Sequence, residues 1–198
     1  MRLRDNDEPS SSSERCINRL NIIKGFLQPS AIGAELGVFR GAFSDYLLST
    51  SPSKLYLVDP WYRAGREWKW AKGDQSTINA LIRILEAYKP EIEKGVVEPR
   101  VEFSQEFLVN QPDRSLDWVY IDTTHKYEQT KLEILLALAK VKVGGYILGD
   151  DYSSHPDAYH KGVYLAVQEF VANGLLNLIV DGTEQQFLAV VPRSLEVL

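Results

Sequence analysis

The sequence predicts an α/β fold: a mostly parallel, seven-stranded sheet flanked by helices, with its last strand antiparallel. Three observations carry this. Short apolar runs alternate with helical patterns along most of the chain, the signature of successive β-α units. Leu116 to Tyr152 (LDWVYIDTTHKYEQTKLEILLALAKVKVGGYILGDDY) reads as strand, helix, strand. Finally, LNLIVD and QFLAVV are joined only by the stretch around Gly182-Thr183-Glu184-Gln185, a connection so short that the two strands must pair antiparallel.

The elements follow in order. Ser13 can cap a helix running to about Leu27, with Ile17, Leu20, Ile23 and Leu27 as its buried stripe and Pro29 ending it. AIGAELGV is the first strand, and FRG leads into a helix from about Ala42 to Leu48. KLYLVD is the second strand, ending on Asp59. The stretch at about 60–99 is too long for a plain crossover and is expected to hold a lid-like insertion, with helical spacing at Ile78, Leu81, Ile82 and Leu85. VEF is a short third strand, followed by a polar loop through Ser104-Gln105-Glu106. LDWVYI is the fourth strand. Tyr127, Thr130, Ile134, Leu138 and Val141 share a face of the next helix, which Gly144-Gly145 stops before the fifth strand, Tyr146-Ile147-Leu148. A helix from about Lys161 to Ala172 turns Val163, Val167 and Phe170 inward ahead of the hairpin.

Composition narrows the function. The 198 residues, 44% of them hydrophobic, suit one domain with one core: residues 14–198, behind a flexible tail at 1–13. A net charge of -5 speaks against a nucleic-acid partner. A single cysteine, Cys16, excludes an intramolecular disulfide framework, suits a reducing cytoplasm and reads as packing. No apolar run spans a bilayer, and the basic N-terminus lacks the apolar segment of a secretory signal, so the expectation is a cytoplasmic chain without membrane contact.

The chemistry gathers at strand ends. A right-handed crossover brings Asp122, at the end of the fourth strand, beside Asp150 and Asp151, at the end of the fifth. Three acids and His125 converging on one edge repel unless a cation or a substrate proton offsets them. At the first strand-to-helix turn, Gly37 permits a tight turn and Gly41 lets the helix start near a ligand. Glu35 can hold an ammonium group, which S-adenosylmethionine has and a nicotinamide dinucleotide lacks. Asp59, about twenty residues on, fits a carboxylate gripping ribose hydroxyls.

Together, ELGVFRG, LVDPW, FSQEF, YIDTTHKYE and GGYILGDDY resemble the class I S-adenosylmethionine-dependent methyltransferases, and more narrowly the bacterial group of macrocin- and mycinamicin-type sugar O-methyltransferases. The resemblance covers about Ala31 to Val191. It implies a Rossmann-like methyltransferase sheet and a cofactor site at Glu35, Gly37, Phe39, Gly41, Asp59, Ser104 and Asp122. It further implies a magnesium ion or another divalent cation held by Asp122, Asp150 and Asp151, with His125 as general base beside Asp122. Metal would ease loss of the acceptor hydroxyl's proton, and His125 would take it. Two positions depart from the family: Thr123 stands where it has glycine, and Phe39 where many methyltransferases do. His155 and His160 lie in a polar loop and read as bystanders, although that loop could border the substrate.

The run Trp61, Arg63, Arg66, Trp68, Lys69, Trp70, Lys72 has three readings: a lid over cofactor and acceptor, a helix covering the sheet edge, or a surface for single-stranded nucleic acid, which the acidic chain disfavours. The expected activity is metal-assisted O-methylation of a small hydroxylated acceptor. Its rivals are a nucleoside-cofactor oxidoreductase and an inactive cofactor-binding scaffold. The sequence is compatible with a homo-oligomer and does not name the acceptor.

Overall fold

In the computed structural model, which describes residues 10–67 and 75–194, seven strands form one sheet. They are β1 (Ile32–Leu36), β2 (Lys54–Asp59), β3 (Val97–Val101), β4 (Leu116–Ile121), β5 (Val141–Gly149), β6 (Asn177–Asp181) and β7 (Phe187–Val190), in spatial order β3-β2-β1-β4-β5-β7-β6. β1 pairs parallel with β2 on one side and β4 on the other, while β7 runs antiparallel to both β5 and β6. Strand order therefore reverses direction at β1, and a ligand crevice opens at the carboxyl ends of β1 and β4.

Helices cover both faces. α1 (Ser10–Ile23), α2 (Ser44–Leu48) and α3 (Gln75–Ala87) pack with α4 (Lys89–Glu93) on one side. There Ile23, Leu47 and Ile84 meet Leu55, Leu57, Trp118 and Tyr120 of the strands. α5 (Ser104–Asn110), α6 (Tyr127–Lys140) and α7 (Lys161–Ala172) cover the other, where Phe107, Ile134 and Val167 meet Leu36, Val119 and Ile121. Alternate residues of β4 thus feed opposite cores, so the strand is apolar but for Asp117 near its start.

Several elements differ from expectation. α1 starts at Ser10 and ends at Ile23, and its buried face is Cys16, Arg19 and Ile23, while Ile17 is exposed. β3 lies at 97–101 and not 101–103: as the sheet's edge strand it tolerates Pro99, whose missing N–H costs no ladder bond on the open side. Ser104 to Asn110 is a helix and not a loop, its entry fixed by the Phe103 N–H donating to Glu106 Oε2 at 3.0 Å. α6 stops at Lys140, before the glycine pair, because Arg114 Nη1 donates to the carbonyls of Leu138 (2.6 Å) and Val141 (2.9 Å); Gly144 and Gly145 belong to β5. In α3, Thr77, Ala80 and Ile84 turn inward, as does Tyr88 just beyond its end, and Ile78, Ile82 and Leu85 stay exposed. The Tyr88 hydroxyl, donating to Asp45 Oδ1 at 2.9 Å, anchors that rotation. No helix among the described residues is long and apolar enough to cross a membrane.

Candidate active site

At the crevice, the β1 and β2 ends are built by backbone geometry. Gly37 follows β1 with φ 91°, and a Cβ there would sit 1.9 Å from the Asp122 carbonyl oxygen, so only glycine fits. Its N–H donates to Val58 O (2.9 Å), and Asp122 N–H donates to Leu36 O (2.8 Å), which locks the turn between the two neighbouring strands. Asp59 is buried, and the N–H groups of Phe39 (2.8 Å) and Trp61 (2.7 Å) donate to its two oxygens. Trp61 returns its indole N–H to Phe39 O at 2.9 Å. Burial pushes the Asp59 carboxyl up to about 6 against those N–H groups.

A cavity of about 280 Å³ opens over this turn, lined by Gly37, Val58, Asp59, Pro60, Ala64, Phe103, Ser104, Thr123, Thr124, Lys126 and Gln129. Of the residues expected to touch a nucleoside, Gly37, Asp59 and Ser104 line it. Glu35, Phe39, Gly41 and Asp122 do not: Glu35 is buried and accepts the Ser44 hydroxyl at 2.5 Å, and Phe39 acts through its backbone on Asp59. Burial pushes Glu35 up to about 8, and the neighbouring Asp122 and Asp59 add to that push. Behind the lining, Glu133 of α6 is fully buried and accepts from Ser104 Oγ, Gln129 Nε2 (2.9 Å) and Thr123 Oγ1 (2.9 Å), so one carboxylate braces three cavity residues.

On the β4 and β5 ends, the expected acids do converge. Carboxylate oxygens of Asp122, Asp150 and Asp151 lie within 4.8 Å of one another. Their space is shared with two arginines of α1. Arg19 Nη2 contacts Asp150 Oδ2, reaches Asp122 Oδ2 at 3.0 Å and donates to the Tyr120 hydroxyl at 2.8 Å. Arg15 Nη2 reaches Asp150 Oδ2 at 2.9 Å and Asp151 Oδ1 at 3.5 Å. The other Asp150 oxygen accepts from Gln186 Nε2 at 2.6 Å. Burial pushes the Asp150 carboxyl upward, with Asp122 adding to it and Arg19 opposing. Desolvation works against the Arg19 charge, but Tyr120, Asp122 and Asp150 outweigh it and keep the guanidinium protonated. A divalent ion bound through all three carboxylates would have to displace Arg19, so the donor set as built does not fit one.

His125 has φ 58° and Asp151 φ 59°, left-handed positions that cost side-chain-bearing residues energy and gather at functional sites. Their strained turns bring His125 Nδ1 to 3.1 Å from Asp151 Oδ2, with Nε2 3.9 Å from Asp122 Oδ1. The loop of His155 and His160 does border the acidic edge: the His160 ring centroid lies 4.3 Å from that of His125 and its Nε2 4.0 Å from Asp151 Oδ2. Burial lowers the His160 pKa, with Asp151 pulling the other way. A second cavity, of about 310 Å³, is lined by Asp151, Ser153, His155, Ala158, Tyr159, His160 and Gln185.

The methyltransferase-domain family profile matches residues 32–152, more than half of the chain. The chain belongs to this family. As a methyltransferase it uses S-adenosylmethionine, and the matched span runs from β1 to just past the paired acids after β5. Solved structures share its fold. A candidate O-methyltransferase from Klebsiella pneumoniae aligns at TM-score 0.62 and 16% identity, over 96% of this chain and 84% of that one. A candidate rRNA methylase from Clostridium thermocellum gives 0.61 and 12%, over 88% and 93%. Aeropyrum pernix fibrillarin with natively bound S-adenosyl-L-methionine gives 0.56 and 14%, over 87% and 73%. No protein of curated function matches in sequence.

Sequence reasoning missed Arg15, Arg19, Glu133, Gln186 and His160. Arg19 left a signal: it interrupts the α1 stripe between Cys16 and Ile23, where a charge demands a buried partner. Glu133 sits in the same way beside Ile134 and Ala137 on the inward face of α6. Trp61 is a fully buried core residue; Trp68, Lys69, Trp70 and Lys72 lie outside the described residues.

Proposed function

We propose that this methyltransferase O-methylates a small, hydroxylated acceptor and that His125 is its general base. The observation that carries the reading is the His125–Asp151 pair, with Asp151 lining the second cavity and the chain neighbours of His125, Thr124 and Lys126, lining the first. The cavity over Gly37, Asp59 and Ser104 suits a nucleoside, and Asp59, pinned by two N–H groups, keeps lone pairs for ribose hydroxyls. The cavity beside His160 has a lining rich in hydroxyl, imidazole and amide groups, which suits a polyhydroxylated acceptor more than an apolar one.

S-adenosylmethionine, when bound, supplies a methyl group on a cationic sulfur, an electrophile that needs no further activation. The chain's task is then positioning and proton removal. Asp151, 3.1 Å from His125 Nδ1, accepts that nitrogen's N–H and so leaves Nε2 as the basic nitrogen. Nε2 would take the proton of the acceptor hydroxyl as that oxygen accepts the methyl group from the cofactor's sulfur, which would leave as the neutral thioether. The acidic edge then offsets the imidazolium. Glu35 is buried against Ser44, does not line the first cavity and holds its proton up to about pH 8, so it would meet the cofactor's ammonium group as a carboxylate only on losing that proton. The magnesium implied by the resemblance would call on Asp122, Asp150 and Asp151, which the two arginines hold.

The test is release of S-adenosylhomocysteine from purified protein given S-adenosylmethionine and a panel of sugars and phenols. Release that requires a hydroxylated member of the panel supports the reading. Release driven equally by amine or thiol acceptors sinks it.

A further inference from the structure

The acidic edge carries its own counter-ions, and they are placed where a metal would be. Arg19 is 5% exposed and Asp150 2%, so their contact is part of the protein interior. The guanidinium lies over the Phe43 ring, 4.8 Å from its centroid, and its Nη2 joins a closed ring of polar groups. Arg19 donates to Tyr120 Oη (2.8 Å), Tyr120 donates to Gln186 Oε1 (2.7 Å), and Gln186 Nε2 donates to Asp150 Oδ1 (2.6 Å). Asp150 Oδ2 closes the ring on Arg19. Each member fixes the next: the Gln186 amide can face only one way, and both Asp150 oxygens are taken. Arg15, one helical turn before Arg19, adds a second cation from a half-exposed position.

We infer that Arg19 is the resident cation of this edge, and that the carboxylates of Asp122, Asp150 and Asp151 work without a divalent metal. A magnesium ion needs oxygens at about 2.0–2.1 Å in near-octahedral array. To collect them here it would have to expel a buried guanidinium from between Asp122 and Asp150 and break the Tyr120–Gln186 relay. The electrostatic gain is small, because two guanidiniums already face the three carboxylates. Removing one partner of such a buried set leaves unpaired charge, which is the costly outcome. The inference concerns the charge balance of the edge and holds whichever hydroxyl the enzyme methylates.

The experiment uses chelator-washed full-length protein titrated with magnesium and with manganese chloride. It is read by thermal unfolding and by the free-manganese resonance signal, neither of which requires turnover. Millimolar metal is expected to leave the wild-type melting temperature unchanged and the manganese free. In Arg19→Met, which exposes the carboxylates to one another, either metal at a hundredfold excess over its dissociation constant should raise the melting temperature by roughly 5 °C or more. Wild-type protein that takes up an equivalent of manganese and melts higher for it overturns the inference. An Arg19→Met protein that stays indifferent to metal overturns it too. Should Arg19→Met fail to fold, the wild-type titration decides by itself.

Discussion

On the β1–β2 side of the crevice, and on the α6 wall facing it, the buried acids meet only neutral donors. Ser44 serves Glu35, the N–H groups of Phe39 and Trp61 serve Asp59, and Ser104, Thr123 and Gln129 serve Glu133. On the β4–β5 side, Asp122, Asp150 and Asp151 meet the guanidiniums of Arg15 and Arg19. Hydrogen bonds from neutral groups orient a carboxylate without cancelling its charge, and burial then pushes Glu35 up to about 8 and Asp59 to about 6. A cationic ligand arriving on that half would stabilise the charged forms of these acids, which suits a sulfonium-bearing cofactor. The other half is already compensated, and its acids are free to support His125.

The largest expected effect breaks chemistry on the compensated side alone. His125→Ala should lower turnover by roughly a hundredfold or more while cofactor affinity stays near wild type. Rates measured at saturating cofactor, beside a binding titration, check it. If affinity falls as far as turnover, the two sides are not separable.

Next comes Glu133, the brace of the cofactor half. Glu133→Ala leaves Ser104, Thr123 and Gln129 without their common acceptor, and the expected cost is about 1–3 kcal/mol in denaturant unfolding. Loss of stability without loss of cofactor affinity would make Glu133 a packing residue only.

The legible part of the molecule follows the same division. Gly37, Asp59 and the three aspartates were readable because each sits at a strand end, where a short, nearly continuous apolar run stops and a turn begins. Their convergence follows from the handedness of the crossover. Arg19 was not readable as a partner, since the acids it meets are 103 residues further along at Asp122 and still more at Asp150. Local pattern shows only that a charge interrupts a buried stripe, not what answers it. α5 was hidden for a related reason: its polar first turn reads as loop until Glu106 is seen folding back on the Phe103 N–H. The inward face of α3 was misjudged because apolar spacing favoured Ile78, Ile82 and Leu85, whereas the Tyr88–Asp45 bond set the rotation.

A smaller effect sharpens the comparison through pH. Between the ordinary glutamate value near 4.5 and about 8, the native chain holds a proton on Glu35 that the unfolded chain has released. The native state thus binds more protons in that window, and stability must fall as pH rises through it. Glu35→Gln, which can still accept from Ser44, should flatten that fall and be more stable than wild type near the top of the window by about 1–3 kcal/mol. Melting curves across the window test it; parallel slopes for the two proteins would mean that Glu35 is not buried as a lone acid.

The most direct measurement of the division itself is calorimetric titration with S-adenosylmethionine, in chelator, of wild type, Asp59→Ala and Asp150→Asn. Asp59 and Asp150 share no hydrogen-bond partner and stand on opposite sides of the crevice. Asp59→Ala should weaken binding ten- to a hundredfold, on the order of 1.5–3 kcal/mol for charge-assisted hydrogen bonds. Asp150→Asn should bind within about twofold of wild type, as independent sites do. Equal losses in the two variants, or undiminished binding in Asp59→Ala, would contradict the account.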